Sequence, residues 1–503
     1  MSEQETTAQA APTTGPKAPA RPLPPETTVT TEHSVELNGQ SLAYRATLST
    51  LHIDTDKVSP AASVFSAAFT LLPDGESPDP TRPVTFVFNG GPGSSSTFLL
   101  MGSVAPRRIV TPDAALTPAA PYELVDNAHT LLPVTDLVFI DAPGAGFSQI
   151  AEEAKPELWS TDGDVKGFVK FIRRYLSANG RWNSPKYVLG ESYGTTRGAA
   201  LALALHGEEI ALNGLVLLSC ILDYGPHTGM NDQGYVGFFP TYAAIAHRHG
   251  KAGAGLALEE HLVRAREFAT GEYRQALAAG SDLPDAQRQA VAARYGDLTG
   301  LSAAYVLRSN LRVTDERFRK ELLRDEQKVV GRYDGRVAGY DIDDAAEAET
   351  FVVDDSFVSP GYGSLVNAYL RDELGWKDTV ERREFAGFDW ASSEPGKGWV
   401  WKHQLPRGAK VLAGMECPYP LVIPDLAAAM VRNPNMKVLV ASGYFDLATP
   451  FYQTEQDIAH LGVPAPLQQN VAFTYYQAGH MVYTAPSELE KFATDLTRFF
   501  SAA

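Results

Sequence analysis

The stretch KYVLGESYGTTRGAALALALHG, residues 186–207, decides the fold. It opens with an apolar run, passes through the pattern G-x-S-x-G at residues 190–194, and continues as an alanine- and leucine-rich helical pattern. G-x-S-x-G between a strand and a helix is typical of a turn so sharp that the serine adopts a strained backbone conformation, with small residues on either side to allow close packing. The stretch therefore predicts that the hydroxyl of Ser192 projects above a sheet as a nucleophile. The alternative is an ordinary strand-to-helix turn.

Other short apolar runs predict the sheet to which this turn belongs. They are VTFVF (84–88), DLVFID (136–141), GLVLLSC (214–220), KVLVASG (437–443) and AFTYYQAG (472–479). Such runs are typical of parallel strands that are buried on both faces. Amphipathic patterns such as DVKGFVKFIRRYLSANG (164–180) lie between several of them. This alternation predicts an α/β fold with a mostly parallel central sheet and helices on both faces. Before it, residues 34–49 and 62–72 alternate as an antiparallel pair.

The chain divides into four parts by composition and pattern. Residues 1–32 are rich in Pro, Thr and Ala and predict a disordered N-terminal segment. Residues 33–222 form the first part of the core, and residues 361–503 form the second part. The block 223–360 between them is helical and charged, and the strand-like run FVVDD (351–355) lies near its end. A block of this length between core strands indicates an inserted helical cap, although an independent helical domain is an alternative.

Composition limits the classes of partner. The net charge of −17 argues against nucleic acid and disfavours anionic membrane surfaces. No apolar run approaches the about 18 residues of a membrane span, and no secretory signal is visible at the N-terminus. Only two cysteines are present, Cys220 and Cys417, which suits a reducing compartment. We expect a cytoplasmic protein with no nucleic-acid or membrane partner, and a homodimer is compatible with the sequence.

A serine hydroxyl needs a base, and the two late strands supply one. Asp446 follows the strand KVLVASG, and His480 follows the strand AFTYYQAG. Acid and base are expected in that order on loops at the carboxyl ends of later strands. His460 is the other late histidine, but it lies in a surface-helix pattern. We therefore expect His480 to take the proton of Ser192 and Asp446 to fix the tautomer of His480.

The loop NGGPG (89–93) after VTFVF predicts a site for negative charge. Attack on a carbonyl places charge on oxygen, and each backbone N–H aimed at that oxygen contributes roughly 3–4 kcal/mol. One such donor follows the nucleophile, here Tyr193. The other comes from a loop after an early strand, and we predict Gly91 N–H because glycine lets the backbone approach a substrate. The alternative is a plain loop.

Four separated blocks together resemble the serine carboxypeptidases of the α/β-hydrolase superfamily. They are NGGPGSSS (89–96), DAPGAGFS (141–148), GESYG (190–194) and SGYFD with GHM (442–446 and 479–481). The resemblance implies an α/β-hydrolase fold and assigns the triad to Ser192, Asp446 and His480 and the oxyanion hole to Gly91 and Tyr193. It also implies that Asn89, Gly90 and Glu191 hold the terminal carboxylate of a substrate and that Met481 lines the pocket of the leaving residue.

Several positions depart from the family pattern. Val87 and Ser103 stand where the family usually has a tryptophan and a second glutamate, and Tyr444 stands where it commonly has an aspartate. Ser94 replaces a usual cysteine. None of these positions belongs to the expected triad, but the first two reduce the expected recognition of a carboxylate.

The side chain of Glu191 has its own expected chemistry. A carboxyl beside a bound carboxylate shares a proton with it, so Glu191 is expected to bind a peptide C-terminus best when protonated. The alternative is an acid stabilised by the N-terminus of the helix that follows.

The leading hypothesis is a serine carboxypeptidase that removes C-terminal residues from peptides through an acyl-enzyme on Ser192. The alternative enzyme is an esterase, amidase or acyltransferase of the same fold that acts on a small acyl substrate. A non-catalytic binding protein on the same fold is a hypothesis of another class. No H-E-x-x-H, Walker or G-x-G-x-x-G pattern occurs, so we expect no metal and no cofactor.

Overall fold

The computed structural model describes residues 22–502 except residues 38, 74, 76, 356–357, 378–379 and 407–415. The strands in this part of the chain are β1 (Thr28–Leu37), β2 (Gln40–Ile53), β3 (Ala62–Leu71), β4 (Val84–Phe88), β5 (Arg107–Ile109), β6 (Leu124–Asp126), β7 (Asp136–Ile140), β8 (Gln149–Ile150), β9 (Lys186–Glu191), β10 (Gly214–Leu218), β11 (Val329–Val330), β12 (Ala338–Gly339), β13 (His403–Gln404), β14 (Glu416–Cys417), β15 (Lys437–Gly443) and β16 (Val471–Tyr476).

The α-helices in the same residues are α1 (Thr97–Gly102), α2 (Lys155–Leu158), α3 (Thr161–Ala178), α4 (Tyr193–Gly207), α5 (Gln233–Arg248), α6 (Leu258–Phe268), α7 (Arg274–Ala279), α8 (Asp285–Thr299), α9 (Ala303–Arg308), α10 (Asp315–Glu321), α11 (Ser359–Ala368), α12 (Ile423–Arg432), α13 (Phe451–Ala459), α14 (Ala465–Gln468) and α15 (Pro486–Ala502). None of the helices in the described ranges has the length and apolar character needed to cross a membrane.

The main sheet follows the spatial order β1-β2-β3-β7-β4-β9-β10-β15-β16, with β8 beside β3. All neighbouring strands from β7 to β16 are parallel. The pairs β1–β2, β2–β3 and β3–β7 are antiparallel. The apolar runs predicted as parallel strands all form neighbouring strands of this sheet. The prediction of a mostly parallel α/β sheet is therefore confirmed.

Order in the chain begins earlier than the sequence indicated. The predicted disordered segment reached residue 32, but β1 already starts at Thr28. Strand β1 pairs antiparallel with β2, with Thr28 opposite Ser49 and Leu37 opposite Gln40. Because β1 is the edge strand of the main sheet, it gains its hydrogen bonds from β2 without needing large apolar side chains.

Helices cover both faces of the sheet and explain the unbroken apolar runs. Successive residues of β4 point to opposite faces: Phe86 packs into a core with α3, α4 and α12, and Val87 packs into a core with α1, α11 and α15. Strands that are buried on both faces have no position at which a polar side chain would meet water.

The crevice of the sheet lies at the ends of β4 and β9. These strands are parallel neighbours, with Phe88 opposite Gly190. From β4 the chain passes to β7 on one side and then to β9 on the other, so the strand order reverses here. In open α/β sheets, ligands bind at the carboxyl ends of the strands where the order reverses. The loop after β4 and the turn after β9 therefore border the same crevice.

The chain between β10 and β15 is largely helical. Helices α5 to α10 contribute to an apolar cluster that they share with the loop after β15 and the start of α13. The strand-like run at 351–355 forms no strand. Instead, the carboxylate of Asp354 accepts hydrogen bonds from the backbone N–H groups of Arg332, Tyr333 and Asp334 at 3.0, 2.7 and 2.7 Å. The run resembles a strand in sequence but forms none, because Asp354 at its end binds the backbone N–H groups of the segment 332–334. The limits of the predicted cap stay a prediction.

A buried ion pair joins the helix after the predicted nucleophile to the rest of the core. Arg197 on α4 pairs with Asp164 on α3 at 2.6 Å between Nε and Oδ2, and both side chains are at most 2% exposed. The guanidinium lies 4.2 Å from the ring centre of Phe168 and donates to the backbone oxygen of Asn89 at 2.8 Å. Arg197 therefore fixes α4 to α3 and to the loop after β4.

We predict that Arg197→Ala lowers the free energy of unfolding by about 3–5 kcal/mol, because it leaves the carboxylate of Asp164 buried without its partner. Denaturant unfolding followed by circular dichroism measures this loss. Arg173→Ala is the matched control, since it breaks an ion pair with Glu208 whose side chains are 55% and 44% exposed, and its expected loss is under about 1 kcal/mol. Equal losses in the two variants would contradict the prediction.

Candidate active site

Ser192 stands at a sharp turn between β9 and α4. Its backbone angles are φ 61° and ψ −130°, a region that non-glycine residues rarely adopt. Glycines make the turn sterically feasible: a Cβ on Gly190 would lie 2.1 Å from the carbonyl oxygen of Gly194. The strained serine predicted from G-x-S-x-G is thus present, and its hydroxyl lies at the start of a helix.

The loop after β4 packs directly on this turn. A Cβ on Gly90 would lie 2.4 Å from the backbone nitrogen of Tyr193, so only a glycine allows this approach. Gly91 has φ +97°. Within the described residues, neither the N–H of Gly91 nor the N–H of Tyr193 has a hydrogen-bond acceptor. Two backbone donors without an acceptor therefore lie on the two segments that meet at Ser192.

The imidazole of His480 contacts the loop after β15, which carries Asp446 and Thr449. Its Nδ1 atom lies 2.8 Å from Oδ2 of Asp446 and 3.2 Å from Oγ1 of Thr449. Asp446 is fully buried and also accepts from the backbone N–H groups of Ala448 and Thr449 at 2.8 and 3.0 Å. Because Nδ1 faces an acceptor, the neutral ring carries its proton there and leaves Nε2 as the basic atom.

Electrostatics at His480 favour its protonated form. Burial disfavours the imidazolium, but the charge and hydrogen bond of Asp446 outweigh burial and raise the pKa of His480 above its ordinary value. An imidazole of this kind accepts a proton readily from a neighbouring hydroxyl.

A cavity of about 610 Å³ brings the predicted site residues together. Its lining includes Asn89, Gly90, Gly91, Glu191, Ser192, His480 and Met481. Asp446 lies behind His480, and the side chain of Tyr193 is buried against Trp399 with ring centres 5.6 Å apart, so Tyr193 can contribute only its backbone. The hydroxyl of Ser192 makes no hydrogen bond to the described residues.

Glu191 is a buried carboxyl beside the nucleophile. One oxygen accepts from Nδ2 of Asn89 at 3.0 Å, and the other accepts from the hydroxyl of Tyr483 at 2.8 Å. Burial raises the pKa of Glu191 to about 7, although the charge of His480 and the two hydrogen bonds lower it. Near neutral pH, Glu191 can therefore either carry a proton or lose it.

The positions that depart from the family pattern do not reach this carboxyl. The hydroxyl of Ser103 donates to the backbone oxygen of Leu99 at 2.5 Å, and Val87 lies in the core. Tyr444 stacks on Tyr475 with ring centres 5.3 Å apart. The second partner of Glu191 is thus a tyrosine from the loop that carries His480.

Sequence reasoning missed two side chains and one backbone segment of the site. Tyr483 follows His480 closely in the chain, but no spacing rule links it to Glu191. The hydroxyl of Thr449 donates to Oδ2 of Asp446 at 2.6 Å, and its place three residues after the acid was the one available signal. The backbone oxygen of Tyr333 accepts from the N–H of His480 at 2.6 Å, and nothing in the local sequence indicated that contact.

No group of three or more His, Cys, Asp or Glu side chains in the described part of the chain is arranged to hold a metal ion. Near Ser192, the imidazole of His480 instead pairs with Asp446, and Glu191 accepts from two neutral side chains. The arrangement places a hydroxyl, an imidazole–carboxylate pair, backbone donors and a protonatable carboxyl in or beside one cavity. Such a set can carry out acyl transfer on a substrate that bears a carboxylate.

Comparisons with known proteins bear on this arrangement. The family model described as serine carboxypeptidase matches residues 69–224. A search of curated protein sequences finds no match. Among solved structures, the prohormone-processing carboxypeptidase Kex1(Δ)p of Saccharomyces cerevisiae is 16% identical, with 90% of this chain and 91% of that chain covered and a TM-score of 0.52.

Two further solved structures are more distant. The proline iminopeptidase of Mycobacterium smegmatis is 12% identical over 90% of this chain and 98% of that chain, with a TM-score of 0.37. The juvenile hormone epoxide hydrolase of the silkworm Bombyx mori is 12% identical over 91% of this chain and 78% of that chain, with a TM-score of 0.31.

The family match contains the loop after β4 and the turn at Ser192, and the likeness to the yeast structure extends over the same sheet. The predicted resemblance and the predicted α/β-hydrolase fold are confirmed. Residues 69–224 are similar to the serine carboxypeptidase family, and this match supports a serine hydrolase of the carboxypeptidase type.

Proposed function

We propose that this protein removes single residues from the C-terminus of peptides through an acyl-enzyme on Ser192. One observation carries the proposal: the buried carboxyl of Glu191, bonded to Asn89 and Tyr483, lines the same cavity as Ser192 and His480. A carboxyl whose pKa is about 7 can keep its proton and donate it to the terminal carboxylate of a peptide. An enzyme that attacks internal peptide bonds would have no use for such a group.

The reaction follows from the positions of the donors. Nε2 of His480 accepts the proton of the Ser192 hydroxyl as Oγ attacks the carbonyl carbon of the last peptide bond. The N–H groups of Gly91 and Tyr193 donate to the oxyanion that forms. The C–N bond then breaks, and the imidazolium returns its proton to the leaving amine. Water then gives a proton to His480 as its oxygen attacks the ester carbon. The bond between that carbon and Oγ breaks, His480 returns the proton to Oγ of Ser192, and the shortened peptide leaves.

Asp446 supports both steps without reacting. Its hydrogen bond fixes the tautomer of His480 and its charge stabilises the imidazolium. Met481, which lines the cavity one residue after His480, is proposed to contact the side chain of the leaving residue.

The second candidate is an esterase, amidase or acyltransferase that acts on a small acyl substrate. One observation favours it: Ser103, at the position of the usual second glutamate, bonds to its own helix and makes no hydrogen bond to Glu191. Recognition of a carboxylate then depends on fewer groups, whereas the acyl-transfer chemistry at Ser192 is unaffected.

We predict that a blocked peptide with a free C-terminus loses its last residue, and that the C-terminally amidated peptide is cut at least about 100-fold more slowly, because the amide cannot share a proton with Glu191 as a carboxylate does. Mass spectrometry of timed digests measures both. Ser192→Ala is the control and abolishes cleavage and fluorophosphonate labelling. Equal cleavage of the two peptides would contradict the exopeptidase proposal and favour the second candidate.

The pH dependence of peptide binding is expected to follow Glu191. Below pH about 7 this carboxyl is protonated and donates to the substrate; above it the ionised group repels the peptide terminus, so KM for free peptides rises with pH. For ester substrates that lack a carboxylate, KM stays flat, because their binding does not depend on the charge of Glu191. The protonation of His480 changes kcat for these substrates instead. Glu191→Gln keeps a neutral side chain and removes the rise in KM. If KM for free peptides still rises with pH in this variant, the rise is caused by another group and not by Glu191.

Gly90→Ala is expected to lower kcat at least about 100-fold, since a Cβ 2.4 Å from the nitrogen of Tyr193 forces the loop away from the turn and misplaces the oxyanion donors. Steady-state kinetics on a chromogenic ester measures the effect. Gly207→Ala, at the far end of α4, places its Cβ where no atom lies within 4 Å and leaves kcat unchanged. Similar rates in both variants would show that the loop does not position the donors.

A further inference from the structure

The segment 332–335 runs along the loops that carry Asp446 and His480. The backbone oxygen of Tyr333 accepts from the N–H of His480 at 2.6 Å, and the backbone oxygen of Arg332 accepts from the N–H of Leu447 at 3.0 Å. The N–H of Gly335 donates to the backbone oxygen of Phe445 at 2.8 Å. These hydrogen bonds fix the backbone of Arg332 next to the loops that carry Asp446 and His480.

The guanidinium of Arg332 lines the catalytic cavity without an ion-pair partner among the described residues. Its one described side-chain hydrogen bond runs from Nη1 to the hydroxyl of Tyr333 at 3.4 Å, and the guanidinium lies 5.3 Å from the centre of that ring. No other arginine and no lysine occurs among the described lining residues. Among the described lining residues, Arg332 is therefore the one side chain with a permanent positive charge, and it is half-buried with most of its hydrogen-bonding capacity unused.

Apart from Glu191, three acids line the same cavity, namely Asp354, Glu384 and the exposed Asp355, and the first two have described partners. The carboxylate of Asp354 accepts from three backbone N–H groups, as described above. Glu384 accepts from the hydroxyls of Ser95 and Thr97, each at 2.8 Å, and pairs with Arg382 at 3.3 Å. Asp354 and Glu384 thus accept their hydrogen bonds from groups other than the Arg332 guanidinium, and none of the described ion pairs joins Asp355 to Arg332, so the guanidinium has hydrogen-bonding capacity left for an anion from outside the protein.

Arg332 lies in a different part of the cavity from the carboxyl of Glu191. Together with His227 and Ala448 it also lines an adjoining cavity of about 440 Å³. Neither Asn89 nor Glu191 lines that second cavity. If Glu191 holds the terminal carboxylate, an anion at Arg332 belongs to the other part of the substrate, the acyl part that Ser192 retains.

We propose that Arg332 determines specificity by binding the carboxylate of an aspartate or glutamate side chain on the residue whose carbonyl Ser192 attacks. The inference rests on the proposed function for the direction in which the peptide lies. An unpaired guanidinium in a partly desolvated wall forms short, charge-assisted and bidentate hydrogen bonds with a carboxylate, whereas a neutral glutamine side chain gains much less.

The test compares blocked dipeptides that carry Glu, Gln or Lys before the same C-terminal phenylalanine. We expect wild-type kcat/KM to favour Glu over Gln by about 10-fold or more. Arg332→Gln lowers the rate for the Glu peptide alone, and Arg332→Glu reverses the preference toward Lys. Arg498→Gln removes the same charge from a side chain that is 75% exposed on α15 and leaves the preference unchanged. Equal wild-type rates for Glu and Gln, or a ratio that survives Arg332→Gln, would overturn the proposal.

The same comparison with activated esters of N-blocked Glu and Gln separates this proposal from the proposed function, because these substrates have no terminal carboxylate. If the peptides stay intact but the esters show a Glu preference that Arg332→Gln removes, the carboxypeptidase proposal is wrong and the acidic preference holds. If Arg332→Gln slows both peptides equally and leaves the esters unchanged, Arg332 binds the terminal carboxylate and the proposed acyl-side specificity is wrong.

Discussion

The geometry of the site depends on one close contact between two backbones. The loop after β4 lies so near the turn after β9 that a methyl group at Gly90 would overlap the nitrogen of Tyr193. This contact is possible because β4 and β9 are neighbours at the point where the strand order reverses. It brings the amides of Gly91 and Tyr193 beside the hydroxyl of Ser192. It also sets the distance between Asn89 and Glu191, since each flanks one side of the contact.

Two buried carboxyls near this contact differ in the donors that surround them. Asp446 accepts from two backbone amides, a hydroxyl and an imidazole, so its charge is well satisfied where the imidazolium needs it. Glu191 accepts only from a neutral amide and a neutral phenol, and burial raises its pKa to about 7. The two carboxyls are similarly buried but suit different roles, because the hydrogen-bond partners determine whether a buried carboxyl is stabilised in its charged or its protonated form.

Local sequence predicted the parts of the structure that local physics determines. The central strands were readable because their sequences are almost entirely apolar, and Ser192 was readable because its turn needs small neighbours. Asp446 and His480 followed from their places after the last two parallel strands. Tyr483 and Tyr333 were not readable, because their contacts with Glu191 and His480 join segments that are distant in the chain. The run 351–355 was misread because the hydrogen-bond partners of Asp354 lie in another loop.

The segment 332–335 has a consequence for how this protein can change over evolutionary time. The amides of Leu447 and His480 find their acceptors on this segment, which lies in the long stretch of chain between β10 and β15. A variant that exchanged or shortened this stretch would remove these acceptors from the loops that carry Asp446 and His480, along with part of the cavity wall. Substitution of a single side chain such as Arg332, by contrast, can change the cavity wall and leave these backbone acceptors in place.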